Sequence, residues 1–405
     1  VTFRTFFKEN LRWLAGGVLL TFFSSVGQTF FIASFAGQIR DEFTLSHGGF
    51  GLIYMLATLG SAATLVVIGP VVDRHRVAPV ALVVIGSLAL AALIMASAST
   101  VAALLIAIYL LRLSGQGMMS HVAMTAMGRW YAAERGRAVS VATTGHQLGE
   151  GILPAAVVFV LAVGHWRDAW LSAAVILIVV AMPLAWLLLS VPRRPTNAKQ
   201  PVLETGVQWT RREALSDYPF WVICSGVLAP SFIGTSVFFH QVHLGAMKSI
   251  APEAIAVSFT IMSITTVIVG LMTGHLVDRF SARRMLPFYL FPLSLGCLVL
   301  SYGQHSMTMV TFMFLLGMSY GVSNAVFGAI WPEVYGIRHL GAIRAVTTAA
   351  MVFASALGPG LTGWLIDIGV PFAQQLLFMS AYCLLSMLTL FIAVRLLDRR
   401  LLLPR

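Results

Sequence analysis

The sequence predicts an all-α integral membrane protein, with twelve transmembrane helices in two pseudo-symmetric six-helix bundles. Three observations carry this. The 405-residue chain is 58% hydrophobic and only 10% charged, where a soluble domain carries about 25% charged residues. Twelve apolar stretches follow one another along it, each near the ~20 residues that a bilayer crossing needs. Its two halves also repeat a loop motif at a fixed spacing.

In order, the expected spans are Leu14–Phe35, Gly48–Val71, Val77–Ala98, Val101–Met127, Ala138–Leu161, Ala169–Leu189, Phe220–His243, Ala254–Val277, Met285–Tyr302, Met307–Ile330, Ala345–Ile366 and Ala373–Leu396. Arg4, Lys8 and Arg12 precede the first span, which is too long for a signal-peptide core and is expected to stay in the membrane. The longest polar stretch includes "PRRPTNAKQP" and separates six spans from six. This divides the chain into a bundle over 1–190, a cytoplasmic linker over 191–218 and a second bundle over 219–405. Within the linker, "RREALSDYPFW" is expected to form a short interfacial helix. Cys224, Cys297 and Cys383 all lie in apolar runs without metal-ligand spacing and read as core residues.

The net charge of +11 is a topology signal rather than a sign of nucleic-acid binding. With both termini on one side, 22 of the 26 lysines and arginines fall on that side. Arg40, Arg167 and Lys248 fall opposite, and Arg112 lies inside a span. Basic loops stay in the cytoplasm. Both termini are therefore expected there, in a multi-pass protein of a bacterial inner membrane.

The halves repeat. The loop after the second span reads "GPVVDRHR", with Gly69, Asp73, Arg74 and Arg76. The loop after the eighth reads "GHLVDRFSARR", with Gly274, Asp278, Arg279, Arg283 and Arg284. Asp73 and Asp278 are 205 residues apart, as are Gly136 and Gly341. This is a parallel duplication of a six-helix unit. Asp and Arg at a helix end can pair with each other and with a neighbouring helix terminus. Gly69, Asp73, Arg74, Arg76, Asp278 and Arg279 are thus candidates for a conformational latch.

At these residues the chain resembles the major facilitator superfamily. Its signature loop joins helices 2 and 3, with Gly, a gap of three, Asp-Arg and further basic residues; His75 and Arg76 replace its usual middle. A second family motif, an arginine followed by Gly-x-Gly in helix 4, is met by Arg112, Gly115 and Gly117. The segment "RWYAAERGRA" and the glycine-rich helix after it are similar to the monocarboxylate and oxalate–formate branches. The Gly-Pro-x-x-Gly-Gly ending of the antiporter motif is missing from helix 5. The resemblance implies a secondary transporter working by alternating access, without a cofactor.

Charges buried in the spans narrow the reading. Glu150 is the single acidic residue placed deep in a span, and Arg112 the single Lys or Arg at comparable depth. Such groups are costly in lipid and face a cavity or a partner. At ~1.5 Å per residue, Arg112 lies about 16 Å from the outer face and Glu150 about 12 Å from it, so the two are expected to pair. His146 shares a helix face with Glu150. Gly145 and Gly149 make a stripe for close helix packing, and Pro154 leaves the Glu150 carbonyl without its helical donor. The 205-residue shift carries Pro154 to Pro359, but Arg112 to Gly317, His146 to Met351 and Glu150 to Ser355. The second half therefore keeps the scaffold without the charges, which points to function rather than architecture.

The expected function is proton-coupled symport of a small organic anion. Arg112 would bind a carboxylate, and Glu150 and His146 would handle the proton. Gln28, Gln116, Tyr320 and Asn324 are further candidates for the substrate site. Proton-driven efflux of amphipathic or drug-like compounds is the alternative, and a non-transporting receptor a third reading. No Walker loop, nucleophile or metal constellation accompanies these residues, so an enzyme is not expected. The expected partners are a small-molecule substrate, protons and the bilayer, with no nucleic acid, no metal and no second subunit.

Overall fold

A computed structural model describes residues 3–131, 135–191, 193, 208–305, 307–336 and 338–402. Among the described residues, twelve helices are long and apolar enough to cross a membrane. In chain order they are α1 (Phe6–Ala33), α2 (His47–Ile68), α3 (Val77–Ser97), α4 (Val101–Trp130), α5 (Gly136–Val163), α6 (Trp166–Leu189), α7 (Tyr218–Phe239), α8 (Pro252–Val277), α9 (Ala282–Tyr302), α10 (Met307–Tyr335), α11 (Leu340–Asp367) and α12 (Phe372–Asp398). The protein is an all-α, multi-pass membrane protein.

Side chains and local charge close the helix starts. Ser46 Oγ accepts the Gly49 N–H at 2.9 Å ahead of α2, and Thr100 Oγ1 accepts that of Ala103 at 3.2 Å ahead of α4. The Asp168 carboxylate accepts the His165 N–H at 2.7 Å, at the start of α6. These bonds satisfy first-turn donors that have no intrahelical partner. The expected helix ahead of α7 is present as Arg211–Leu215, with Thr210 and Glu213 forming a reciprocal cap.

The chain divides into two compact units, Val1–Gln200 and Pro201–Arg405. In the first, α1 packs on α5, α2 on α4 and α3 on α6. The second repeats this: α7 packs on α11, α8 on α10 and α9 on α12. The duplication read from two loops thus extends to these three helix pairs.

Three helices of the first unit depart from regular geometry. α6 widens to a π-helix over Leu177–Ala181, and the other two departures lie together. α1 tightens to a 3₁₀ turn at Ser25–Gly27, and Gln28 is extended (φ −86°, ψ 157°) before the chain resumes helical form at Thr29. α4 widens to a π-helix over Arg112–Met119. The irregularities of α1 and α4 meet. A Cβ on Gly115 would lie 2.6 Å from the Gly27 Cα, so only a pair of glycines allows this approach. The Gly145/Gly149 stripe of α5 packs on α1 as expected; added Cβ atoms would strike the Val18 carbonyl, Thr21 and Ser25. Thr21 Oγ1 also donates to the Ala142 carbonyl at 2.5 Å.

Candidate functional site

The break in α1 and the π segment of α4 together position Arg112, which is 1% exposed. Because Gln28 is extended, the helical ladder of α1 is interrupted, and the Gly27 carbonyl accepts from Arg112 Nη1 at 3.2 Å. The same nitrogen lies 3.4 Å from Thr29 Oγ1. Thr29 Oγ1 is 2.6 Å from the Tyr54 hydroxyl, and the guanidinium sits over the Tyr54 ring, 5.1 Å from its centroid. Three helices thus hold one arginine through its Nη1 edge and one face. Nε and Nη2 remain buried without a hydrogen-bond partner among the described residues. π segments cluster at functional sites because they aim side chains where a regular helix would not.

Glu150, 4% exposed, follows Gly149 on α5, the helix that packs on α1. It makes no hydrogen bond or ion pair with a described residue, and the expected Arg112–Glu150 pair is not closed. α4 packs on α3, α1 and α2, while α5 packs chiefly on α1. Arg112 accordingly turns toward the α1 break and Tyr54. His146, half-buried, has its ring 6.5 Å from that of Phe30. In the second unit a neutral hydrogen bond stands in the place of Glu150: Thr235 Oγ1 of α7 donates to Ser355 Oγ of α11 at 3.1 Å.

A model of the major facilitator superfamily matches residues 17–248 and 227–403 of the chain. The chain belongs to the major facilitator superfamily. It is similar to the oxalate:formate antiporter of Oxalobacter formigenes, with 23% identity over 274 residues. That match covers 64% of this chain and spans 64% of the relative's length. A bacterial homolog to the human lysosomal transporter Spinster shares the fold at TM-score 0.72 and 15% identity, over 96% of this chain and 97% of that one. The nucleoside transporter NupG does so at TM-score 0.72 and 12% identity, over 94% and 98%.

The remaining candidates scatter around this superfamily scaffold. Gln28 is half-buried at the α1 break, and Gln116 half-buried in the π segment. Both therefore flank Arg112's surroundings. In the second unit, Tyr320 of α10 lies over Gly234 of α7, and its hydroxyl donates to the Pro230 carbonyl at 3.3 Å. Asn324, one turn on, is exposed.

The signature loops differ between the units. The side chains of Asp73 and Asp278 lie outside the described part. Arg74 is exposed, and Arg76 donates to the Ser190 carbonyl at 3.3 Å. Gly69, buried, offers its carbonyl to His121 Nε2 at 3.2 Å. In the second loop Arg279 lies over the Phe280 ring, and it is Arg283 that makes the ion pairs: Nε to Glu333 at 2.5 Å and Nη1 to Asp398 at 3.0 Å. Glu333 also takes Ser281 Oγ at 2.6 Å and the Ala282 N–H at 3.0 Å, which holds Ser281 at φ +77°.

Thr29, Tyr54 and Gly27 were missed by sequence reasoning. The available signal was "GQT", a glycine and two polar residues in the middle of an apolar span.

Proposed function

We propose that the chain is a secondary transporter that moves a small carboxylate-bearing anion by alternating access. Arg112 receives the anion, and protonation of Glu150 is the coupled event. The observation that carries this reading is the orphaned edge of Arg112. Nε and Nη2 are the side-by-side donors that meet both oxygens of one carboxylate, and they are buried with nothing to donate to. Half-satisfied buried guanidinium is costly, and an anionic ligand offsets that cost. The edge is closed to solvent here, so a ligand reaches it when the surrounding helices part.

The coupling follows from two groups in one unit. A buried carboxyl avoids uncompensated charge by holding a proton or by meeting a cation. Glu150 has no partner among the described residues, while Arg112 lacks a counter-anion. In the proposed cycle, an incoming carboxylate occupies Arg112 while Glu150 keeps its proton. When the site empties, Glu150 gives up the proton, and its charge compensates Arg112. His146, one turn from Glu150, tunes that step. The likeness to an oxalate:formate antiporter supports a carboxylate substrate.

The test is uptake of labelled mono- and dicarboxylates into proteoliposomes under an imposed pH gradient. At least one carboxylate is expected to accumulate. Arg112→Ala is expected to weaken its binding by about 2–5 kcal/mol, the cost of removing one partner of a buried charged pair. Glu150→Gln should retain exchange but lose its response to the gradient. If bulky cations or neutral amphiphiles alone bind, and Arg112→Ala leaves that binding unchanged, the anion reading fails in favour of efflux.

A further inference from the structure

At the basic end of the first unit, where α4 and α6 finish and α3 begins, a cavity of about 340 Å³ is lined by Arg76, Arg129 and Arg193. Val77, Trp130 and Leu189 form its apolar walls. Arg76 and Arg193 engage only neutral groups among the described residues. Arg76 donates to the Ser190 carbonyl. Arg193 donates to the Trp130 carbonyl at 2.5 Å and to Asn10 Oδ1 at 2.7 Å, with its guanidinium 3.8 Å from the Tyr131 ring centroid.

The second unit closes its corresponding end with an ion-pair cluster. There Glu333 and Asp398 clasp Arg283 from two sides. Subtracting the repeat spacing, 283 − 205 = 78, 333 − 205 = 128 and 398 − 205 = 193, and these positions hold Ala78, Gly128 and Arg193. The first unit thus lacks the whole cluster and carries an arginine where the second has Asp398, and a cavity stands beside it.

We propose that this cavity binds a phosphate-bearing anion, which supplies a negative charge to Arg76 and Arg193. Guanidinium forks match phosphate oxygens in pairs. The walls and the position at the ends of three spans suit the headgroup and glycerol of an anionic phospholipid. Free inorganic phosphate offers the same oxygens without the apolar part.

The experiment is thermal unfolding of the full chain in neutral detergent, titrated with phosphatidylglycerol, phosphatidylcholine or inorganic phosphate. Phosphatidylglycerol is expected to raise Tm where phosphatidylcholine does not. A rise with inorganic phosphate instead assigns the site to a soluble anion. Arg193→Lys should keep the shift. Arg193→Gln should raise the half-saturating concentration about fivefold, the effect of one basic side chain near an anionic headgroup. Arg193→Asp, which reverses the charge at the cavity, should abolish the shift. Arg76→Gln provides an independent variant on an exposed residue, read in the same way as Arg193→Gln. The proposal is overturned if neither anion raises Tm, if phosphatidylcholine acts as strongly, or if the shift is undiminished in both Arg193→Asp and Arg76→Gln.

Discussion

Three basic residues break the charge asymmetry of the loops, and each is occupied with backbone carbonyls. Arg167 donates to the carbonyls of Ala96 and Ala98, at 3.3 and 2.7 Å, where α3 ends. It also pairs with Glu42. Lys248 does the same for α9 in the second unit, reaching the carbonyls of Ser301 and Gly303 at 3.4 and 2.5 Å. Arg40 donates to the Leu45 carbonyl at 3.4 Å. α3 and α9 are equivalent in the repeat, so two unrelated side chains have been recruited to cap the same helix end. Burial lowers the pKa of the Lys248 ammonium below the usual lysine value, yet it holds two acceptors. Lys248→Met should destabilise the second unit by about 1–3 kcal/mol, because both carbonyls lose a charged donor. Thermal unfolding measures this, and anion uptake per folded molecule should be unchanged. The sequence marks these three residues as exceptions but does not say what they do, because the carbonyls that Arg167 and Lys248 hold lie far away in sequence.

The number and order of the helices are the best-read feature of the chain, since twelve apolar runs suffice to count them, although their ends shift, as where α1 starts at Phe6 rather than Leu14. The irregular backbone is not legible from the same signal. The 3₁₀ turn at Ser25–Gly27 and the π segment at Arg112–Met119 arise where α1 and α4 press two glycines together. Hydropathy carries no trace of such a contact. Depth along a helix correctly puts Arg112 and Glu150 near one level, but it says nothing about direction around the axis. Packing of α4 among α1, α2 and α3 decides that direction, and Arg112 turns toward Gly27 and Tyr54. Gly115→Ala should cost about 1–3 kcal/mol by overpacking at Gly27, and it should lower anion affinity by moving Arg112. Gly136→Ala is the matched control, because nothing lies within 4 Å of a Cβ there. Circular dichroism melts and a binding isotherm on both variants separate the two outcomes.

At the scale of the molecule, the repeat is the most informative pattern in the sequence, because it contains its own control. The three main helix pairs are common to the two units, whereas among the described residues charge buried within a span is confined to the first. The placement of 22 of 26 basic residues also leads to a topology prediction. A reporter active only outside the cytoplasm should be active when fused after Arg167 or Lys248, and silent when fused after Arg76 or Arg284. Activity in the opposite pattern would invert the orientation, leaving the fold untouched.

The π segment also has a consequence for chain length. α4 runs for 30 residues and its counterpart α10 for 29. The spacing between the two is 206 residues at their starts, Val101 and Met307, and 205 at their ends, Trp130 and Tyr335. α10 is α-helical throughout. The first unit therefore carries one supernumerary residue within α4, absorbed as a wider turn. Deleting Ser114 should return α4 to regular winding and swing Arg112 by about 100° relative to the lower half of the helix. A protein so shortened is expected to fold with an intact twelve-helix spectrum and to have lost its anion affinity. An insertion of a single amino acid would then be what separates a packing helix from a binding one.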